Sequence, residues 1–263
     1  MKLDAKVYIV GAGPGDPELI TVKGMRILQR ADVVIYTDSL VRAELLDYCG
    51  PTTQVFKSAG MALEEIVQLM VSHVREGRSV ARVHTGDPAV FGAILEQIGM
   101  LLRAKVPYEV VPGVSSVFAA AAVLGAELTV PELTQTVILT RVGGRTPMPE
   151  GEQLRDLAKH HTTLALFLSA TLAKKAVDDL LAAGWSPDTP VAVVQKATWP
   201  DQLVIRSTLS HLVRAMGDAH VSSHAMILAG WALDPNLALA DGHRSKLYDK
   251  TFTHRYRKGV VEG

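Results

Sequence analysis

In the first half of this 263-residue chain, short strand-like runs at 7–10, 33–36, 79–84 and 108–111 alternate with stretches whose apolar residues recur every three or four positions. A further short strand begins at Val55 and Phe56. The intervening helices are predicted over 19–30, 41–49, 62–75 and 118–124, with one more that turns Ile94, Ile98 and Leu101 inward. The clearest is 62–75, where Leu63, Ile66, Val67, Met70, Val71 and Val74 fall on one face and Gly77 follows as a C-terminal cap. Parallel neighbours need a crossover between them, so this alternation predicts an α/β fold with a mainly parallel sheet covered on both faces.

In such sheets ligands collect outside the carboxyl ends of the strands. The stretches that follow those ends are 11–17, 37–40, 85–88 and 112–116, all polar or rich in glycine and proline, and they are expected to converge on one crevice. The first lies in VYIVGAGPGDPELIT, residues 7–21. A dinucleotide fingerprint G-x-G-x-x-G would need glycine where this chain has Asp16. A carboxylate there repels a pyrophosphate at a helix N-terminus, and Pro14 and Pro17 remove two amide donors from the turn. The loop is therefore built for something other than a phosphate, or is a plain tight turn.

The second half changes texture. Strands are predicted near 137–140, 163–168, 190–195, 203–207 and 225–231, with helices near 152–160, 171–183 and 208–216. Only residues 196–202 separate two of these strands, too few for a helical crossover, so that pair is expected to be antiparallel and the second sheet mixed. The predicted organisation is an N-terminal α/β domain over 1–130, a C-terminal α/β domain over 131–240, and a basic-aromatic tail over 241–263. The tail carries six Lys or Arg between 244 and 258, interleaved with Tyr248, Phe252 and Tyr256. It reads either as a solvated basic tail or as an arm toward an anionic substrate or a partner subunit.

Composition removes several function classes. Basic and acidic residues balance at 27 each, which argues against a nucleic-acid footprint. No apolar run approaches the ~20 residues of a membrane span, and MKLDAKVYIV does not read as a secretory leader. The single cysteine, Cys49, has no partner for an internal disulfide, and a cytoplasmic location is expected. His160 and His161 are adjacent, but neither a metalloprotease helix nor a cysteine pair is present, so no metal site is expected. There is no Walker loop and no nucleophile elbow. His84, before the Gly-Asp-Pro turn, reads either as a substrate contact or as a packed strand-end residue.

Taken in order, VGAGPGDPELIT, VVIYTDSLV, HTGDPAVFG and VPGVSSVFAAAA resemble the tetrapyrrole (corrin/porphyrin) methylases, enzymes that use S-adenosylmethionine. In the second half LTQTVILTRVGGRTPMPE, ALFLSATLAKK, QKATWPDQ, AMILAGWALDP and SKLYDKTFTH are similar to the branch that methylates a corrin precursor. The resemblance covers nearly the whole chain. It implies two α/β domains with an active-site cleft between them, S-adenosylmethionine as cofactor, a small-molecule tetrapyrrole as substrate, and a homodimer. It also implies cofactor-binding roles for Pro14, Thr85, Gly86, Asp87, Val90, Ser115, Ser116, Leu168, Ala197 and Ala225. Asp87 could instead cap the next helix. Asp38 is the candidate catalytic carboxylate, although the turn YTDSL is one residue longer than the family's YDRL. Arg141 and Arg145, with Lys174, Lys196 and the tail cations behind them, are candidate partners for the carboxylates of the ring. The rival readings are a methylase of another tetrapyrrole position (uroporphyrinogen III or another precorrin), a nicotinamide-dependent oxidoreductase, and a non-catalytic tetrapyrrole-binding protein.

Overall fold

The computed structural model describes residues 3–239, 243 and 245–260. The chain forms two compact units. Unit 1 comprises Met1–Ala120 with Lys196–Gln202, and unit 2 comprises Ala121–Gln195 with Leu203–Gly263.

Unit 1 contains strands β1 (Val7–Gly11), β2 (Val33–Tyr36), β3 (Gln54–Lys57), β4 (Val80–His84) and β5 (Tyr108–Val111). They form one sheet in the order β3-β2-β4-β1-β5, parallel throughout. Helices α1 (Val22–Leu28), α2 (Leu63–Arg75) and α3 (Ile94–Arg103) provide three of the four crossovers, the β2–β3 connection holding no α-helix, and α4 (Ser116–Leu124) carries the chain from unit 1 into unit 2. Strand alternation sorts the side chains into two cores. Tyr8, Val10, Val34, Tyr36, Ala81 and Val83 pack with Ile27 and Leu28 of α1. Val7, Ile9, Val33, Ile35 and Val80 pack with Ile66, Val67, Met70 and Val74 of α2 and Leu101 of α3.

Two helices of unit 1 differ from the sequence expectation. The stretch 19–30 is a 3-10 turn, Pro17–Leu19, followed by the shorter α1. Thr21 holds an extended backbone and its hydroxyl accepts from the Gly24 amide, so the α-helix starts after it. The stretch 41–49 is a 3-10 helix over Ala43–Tyr48 rather than an α-helix. The Gly77 cap is present, with φ of +78°.

Unit 2 contains β6 (Val137–Arg141), β7 (Thr163–Phe167), β8 (Pro190–Gln195), β9 (Leu203–Thr208) and β10 (Ala225–Ala229), in the sheet order β6-β7-β10-β8-β9. β6 and β7 are parallel and the other pairs antiparallel, including the expected β8–β9 hairpin. Helices α5 (Leu154–Leu157), α6 (Ala173–Ala182) and α7 (Leu212–Asp218) bury Leu154, Ala176, Leu180, Leu212 and Met216 against this sheet. The helix expected over 152–160 is short because 3-10 geometry takes over at 158–160 and His161 turns left-handed, φ +50°. In the tail, Lys246–Tyr248 forms a 3-10 turn. Arg244 and residues 241, 242 and 261–263 of the tail lie outside the described residues. Among the described residues no helix is long and apolar enough to cross a membrane.

Candidate functional site

The strand order of unit 1 fixes where a ligand can approach. β1 and β4 are neighbours, yet the chain leaves β1 toward β2 on one side and leaves β4 toward β5 on the other. Their carboxyl ends therefore form a topological switch point, where the edge of a parallel sheet opens into a crevice. The loops after both strands meet there. Gly13 and Gly86 form an isolated bridge, with the Gly86 amide donating to Gly13 O at 2.8 Å. The Ala12 amide donates to His84 O at 2.7 Å. Gly113, after β5, completes the junction. A Cβ on Gly113 would stand 2.2 Å from Gly86 O, and one on Gly11 would stand 2.6 Å from Gly113 Cα. The backbones meet this closely only because Gly11 and Gly113 carry no side chain, while Gly86 has room for a Cβ but holds φ of +61°. The stretches after β1, β4 and β5 thus meet as the sequence leads one to expect.

The carboxylates of these loops are turned onto the loops themselves. Asp16 Oδ1 accepts from the Glu18 amide at 2.9 Å and caps the 3-10 turn. Asp87 Oδ1 accepts from Ala89 N at 2.8 Å, and Oδ2 accepts from Gly113 N at 2.9 Å. Asp87 does not cap the following helix, because α3 starts at Ile94 after a left-handed Ala93. It ties the 85–90 loop to the loop after β5. Thr85 is exposed, Gly86 and Ser115 are buried, and Asp87, Val90 and Ser116 are half-buried. Ser116 opens α4.

Residues 196–202, the tip of the β8–β9 hairpin, close over the glycine loop. The Trp199 indole donates to Pro14 O at 3.1 Å, and the Asp16 amide donates to Thr198 Oγ1 at 2.9 Å. A Cβ on Gly15 would stand 2.1 Å from the indole. Lys196 pairs with Asp201, and the Arg42 guanidinium stands 5.7 Å from the Trp199 ring centroid. Ala197 is buried. The backbone is strained at Lys196, φ +49°, and at Thr198, φ +69°. Left-handed geometry at a β-branched residue is rare and gathers at functional loops. An open, shallow recess lies alongside, lined by Ala12, Gly13, Gly15, Leu40, Val41, Arg42 and Leu45.

Asp38 stands exposed in the turn after β2, and its Oδ1 accepts from Ala59 N at 3.0 Å. Beneath that turn lies a residue to which the sequence pattern assigns no role, Arg82. It is 4% exposed in the middle of β4. Nη1 donates to Ser58 Oγ at 2.8 Å and Ile35 O at 3.4 Å, Nη2 to Thr37 Oγ1 at 3.3 Å, and Nε to Gln97 Oε1 at 3.3 Å. Every acceptor is neutral. Burial lowers the Arg82 pKa to about 10, so the group stays charged at neutral pH. His84, on the same face of the strand, is 6% exposed with its buried Nε2 unpartnered. Burial and the nearby Arg82 charge lower its pKa to about 3, so the imidazole is neutral. One signal in the sequence marks Arg82: a buried parallel strand reads as a continuous apolar run, and VARVH breaks that run with an arginine.

In unit 2, sheet register aligns Arg141 with Phe167, Ile227 with Leu166, and Ala225 with Gln195. Arg141, Leu168 and Ala225 therefore belong to one edge of that sheet. Leu168 is 71% exposed with φ of +52°. The Arg141 guanidinium donates to Thr146 O at 3.1 Å and Pro147 O at 2.9 Å, which folds its own loop around it. Arg145 is exposed in that loop. Lys174 pairs with Asp178 at 2.7 Å, one turn further along its helix. Among the described residues no group of three or more His, Cys, Asp or Glu side chains is placed to hold a metal ion.

Comparison with known proteins adds to this geometry. The family described as Tetrapyrrole (Corrin/Porphyrin) Methylases matches residues 6–213. The cobalt-precorrin-4 C(11)-methyltransferase of Priestia megaterium is 62% identical over 255 residues, covering 97% of this chain and 98% of that protein. The X-ray structure of a cobalamin biosynthetic enzyme, cobalt precorrin-4 methyltransferase, superposes with a TM-score of 0.86 at 61% identity, over 88% of this chain and 97% of that one. The uroporphyrin-III C-methyl transferase of Thermus thermophilus, solved as a complex with S-adenosylhomocysteine, superposes with a TM-score of 0.72 at 32% identity, over 87% and 93%.

Proposed function

The chain belongs to the tetrapyrrole (corrin/porphyrin) methylase family, and from that premise we propose that it methylates C11 of cobalt-precorrin-4 in cobalamin biosynthesis. It is an S-adenosylmethionine-dependent methyltransferase acting on a tetrapyrrole. The observation that carries the position and the substrate is the 62% identity, spread over nearly the full length of both chains, to an enzyme named for that reaction.

The loops of unit 1 fit the cofactor. They are built mainly from glycine, proline and other small residues, and the carboxylates of Asp16 and Asp87, though bonded to loop amides, disfavour a pyrophosphate there. When bound, S-adenosylmethionine supplies a methyl group already activated as a sulfonium. Pro14, Thr85, Gly86, Asp87, Val90, Ser115, Ser116 and Ala197 are the unit 1 residues proposed to hold it. Leu168 and Ala225 of unit 2 are proposed on the family resemblance alone, as are a homodimer and a cytoplasmic location. The chain's share of the chemistry is alignment, which in well-oriented systems amounts to roughly 7–11 kcal/mol of the barrier. Asp38 is the proposed proton acceptor, since it is exposed and one hydrogen bond fixes it in its turn. Arg141 and Arg145 are proposed to meet ring carboxylates, and Arg141 would have to exchange its bonds to the loop carbonyls to do so.

The test is an anaerobic incubation with S-adenosylmethionine and cobalt-precorrin-4, run beside metal-free precorrin-4, with product mass and methylated carbon read by NMR. One added methyl at C11 with the cobalt form preferred is the expected result. Methylation at another carbon, or of the metal-free ring alone, overturns the assignment while leaving the methyltransferase intact.

A further inference from the structure

The Arg82 guanidinium poses an energetic question. Taking an unpaired cation out of water costs several kcal/mol unless charge or ideal hydrogen bonding offsets it, and here the acceptors it bonds among the described residues are all neutral. Its neighbours on the same face, Val80, Val33, Ile35 and Ile9, are fully buried apolar residues. A Met or Leu at position 82 would extend that core at no electrostatic cost.

The bonds show what the guanidinium does. Thr37 opens the turn after β2, and Thr37 O accepts from the amides of Leu40 and Val41. Ser58 opens the turn after β3, with its hydroxyl and amide both donating to Tyr36 O at 3.0 Å. Asp38 Oδ1 joins the two turns through Ala59 N. Arg82 is bonded to the hydroxyls of both Thr37 and Ser58, and through Gln97 it is anchored to α3, where Gln97 Nε2 in turn donates to Ala93 O at 3.3 Å. A rigid planar fork can reach three elements at once in a way that a point charge cannot. His84, the other ionisable group on this face of β4, is held neutral, so Arg82 carries the one charge on that face of the strand.

From this arrangement we infer that Arg82 is a positioning residue for methyl transfer: its buried fork sets the turn that presents Asp38 at the carboxyl edge of the sheet. The inference rests on the reading of Asp38 and its turn as part of the reaction site. Arg82 does not itself touch substrate. It acts through Thr37, Ser58 and the turn.

The test compares wild type with R82K, R82M and T37V. The readouts are kcat for methyl transfer, the Kd for S-adenosylhomocysteine by calorimetry, Tm, and amide hydrogen exchange. Misplacing a reacting group by about 1 Å costs on the order of 100-fold, so R82M is expected to lose about that factor in kcat while its Kd stays within about threefold. R82K should fall between R82M and wild type. T37V, which deletes one acceptor, should show a smaller loss of the same kind, and it carries the test if R82M fails to fold. The amides of Leu40, Val41 and Ala59 should exchange faster in R82K. An R82M enzyme with wild-type kcat overturns the inference. So does a loss of kcat matched by an equal loss of cofactor-product binding, since that is general damage to the fold. If wild type transfers no methyl to a tetrapyrrole, the function reading falls on its own. Exchange then decides the geometry: unchanged protection of those three amides in R82K overturns it, and faster exchange confined to them supports it.

Discussion

Two neighbouring stretches of the carboxyl edge of unit 1 are held in place by opposite means. At Gly11 and Gly113 the backbones touch each other and Gly86 O because side chains are missing. At the turns after β2 and β3, two loops are held by the longest side chain of β4, reaching up from within the sheet. There is no slack at Gly11 and Gly113, since a Cβ added at either meets backbone atoms at 2.6 Å or less. The second has a graded design, in which acceptors can be removed one at a time. Where a ligand must approach the main chain closely, the cheapest solution is glycine. Where a turn must present a side chain, a buried hydrogen-bonded hub orients it.

The comparison can be broken most sharply at Gly113. In Gly113→Ala the new methyl meets Gly86 O and Gly11 Cα with nothing flexible to yield. A loss of about 3 kcal/mol or more is expected, read as a shift in the urea midpoint. A shift under 1 kcal/mol would show that the junction relaxes, and the contrast between the two stretches would weaken.

The hub side is probed by acid. His84 is buried neutral with its pKa lowered to about 3 from 6.5, so the unfolded chain takes up a proton that the folded chain refuses. The stability this represents is fully present above pH 6.5 and is lost as pH falls from there toward about 3. At pH 5 the loss is about 2 kcal/mol. The difference in midpoint between wild type and His84→Gln, followed from pH 7 to pH 4, isolates it. A difference that does not change with pH would show that His84 protonates freely in the folded protein.

Asp87 sharpens the glycine side, because it fastens the loop after β4 to the loop after β5. Asp87→Ala leaves two amides without their acceptor, and half-burial limits the cost to about 1.5 kcal/mol. Faster exchange of the Gly113 amide should accompany it. The smallest effect is expected at Trp199→Phe, which keeps most of the ring over Gly15 and loses the bond to Pro14 O. About 1 kcal/mol is expected from denaturation, and an unaltered midpoint would show that the indole N–H is satisfied equally well by water.

The same two stretches differ in how plainly the sequence announces them. The glycine junction announces itself, because Gly11, Gly13, Gly86 and Gly113 each follow a strand with a clear apolar pattern. The hub announces itself only as one arginine inside a buried strand. Its partners Ser58, Gln97 and Thr37 look like ordinary surface polar residues in the sequence, and no local pattern links them. Among the candidate site residues, Asp38 and Asp87 were visible as carboxylates after strands. That Asp87 bonds Gly113 rather than capping α3 was not, because that bond spans 26 residues.

The sequence alone determined the features that depend on local periodicity. These are the five parallel strands of unit 1, the crossover helices, and the antiparallel β8–β9 pair with too little chain between its strands for any crossover. The alternation of side chains with period 2 or 3.6 is a property of neighbouring residues, and it survives in the bare letters. The tertiary structure alone decided which polar groups meet. The bond from Trp199 to Pro14 O spans 185 positions, and the bond from Arg82 to Thr37 spans 45. Such pairings form only once the sheet has brought strand ends together and excluded water, so that each buried donor must take whatever acceptor the fold has placed beside it.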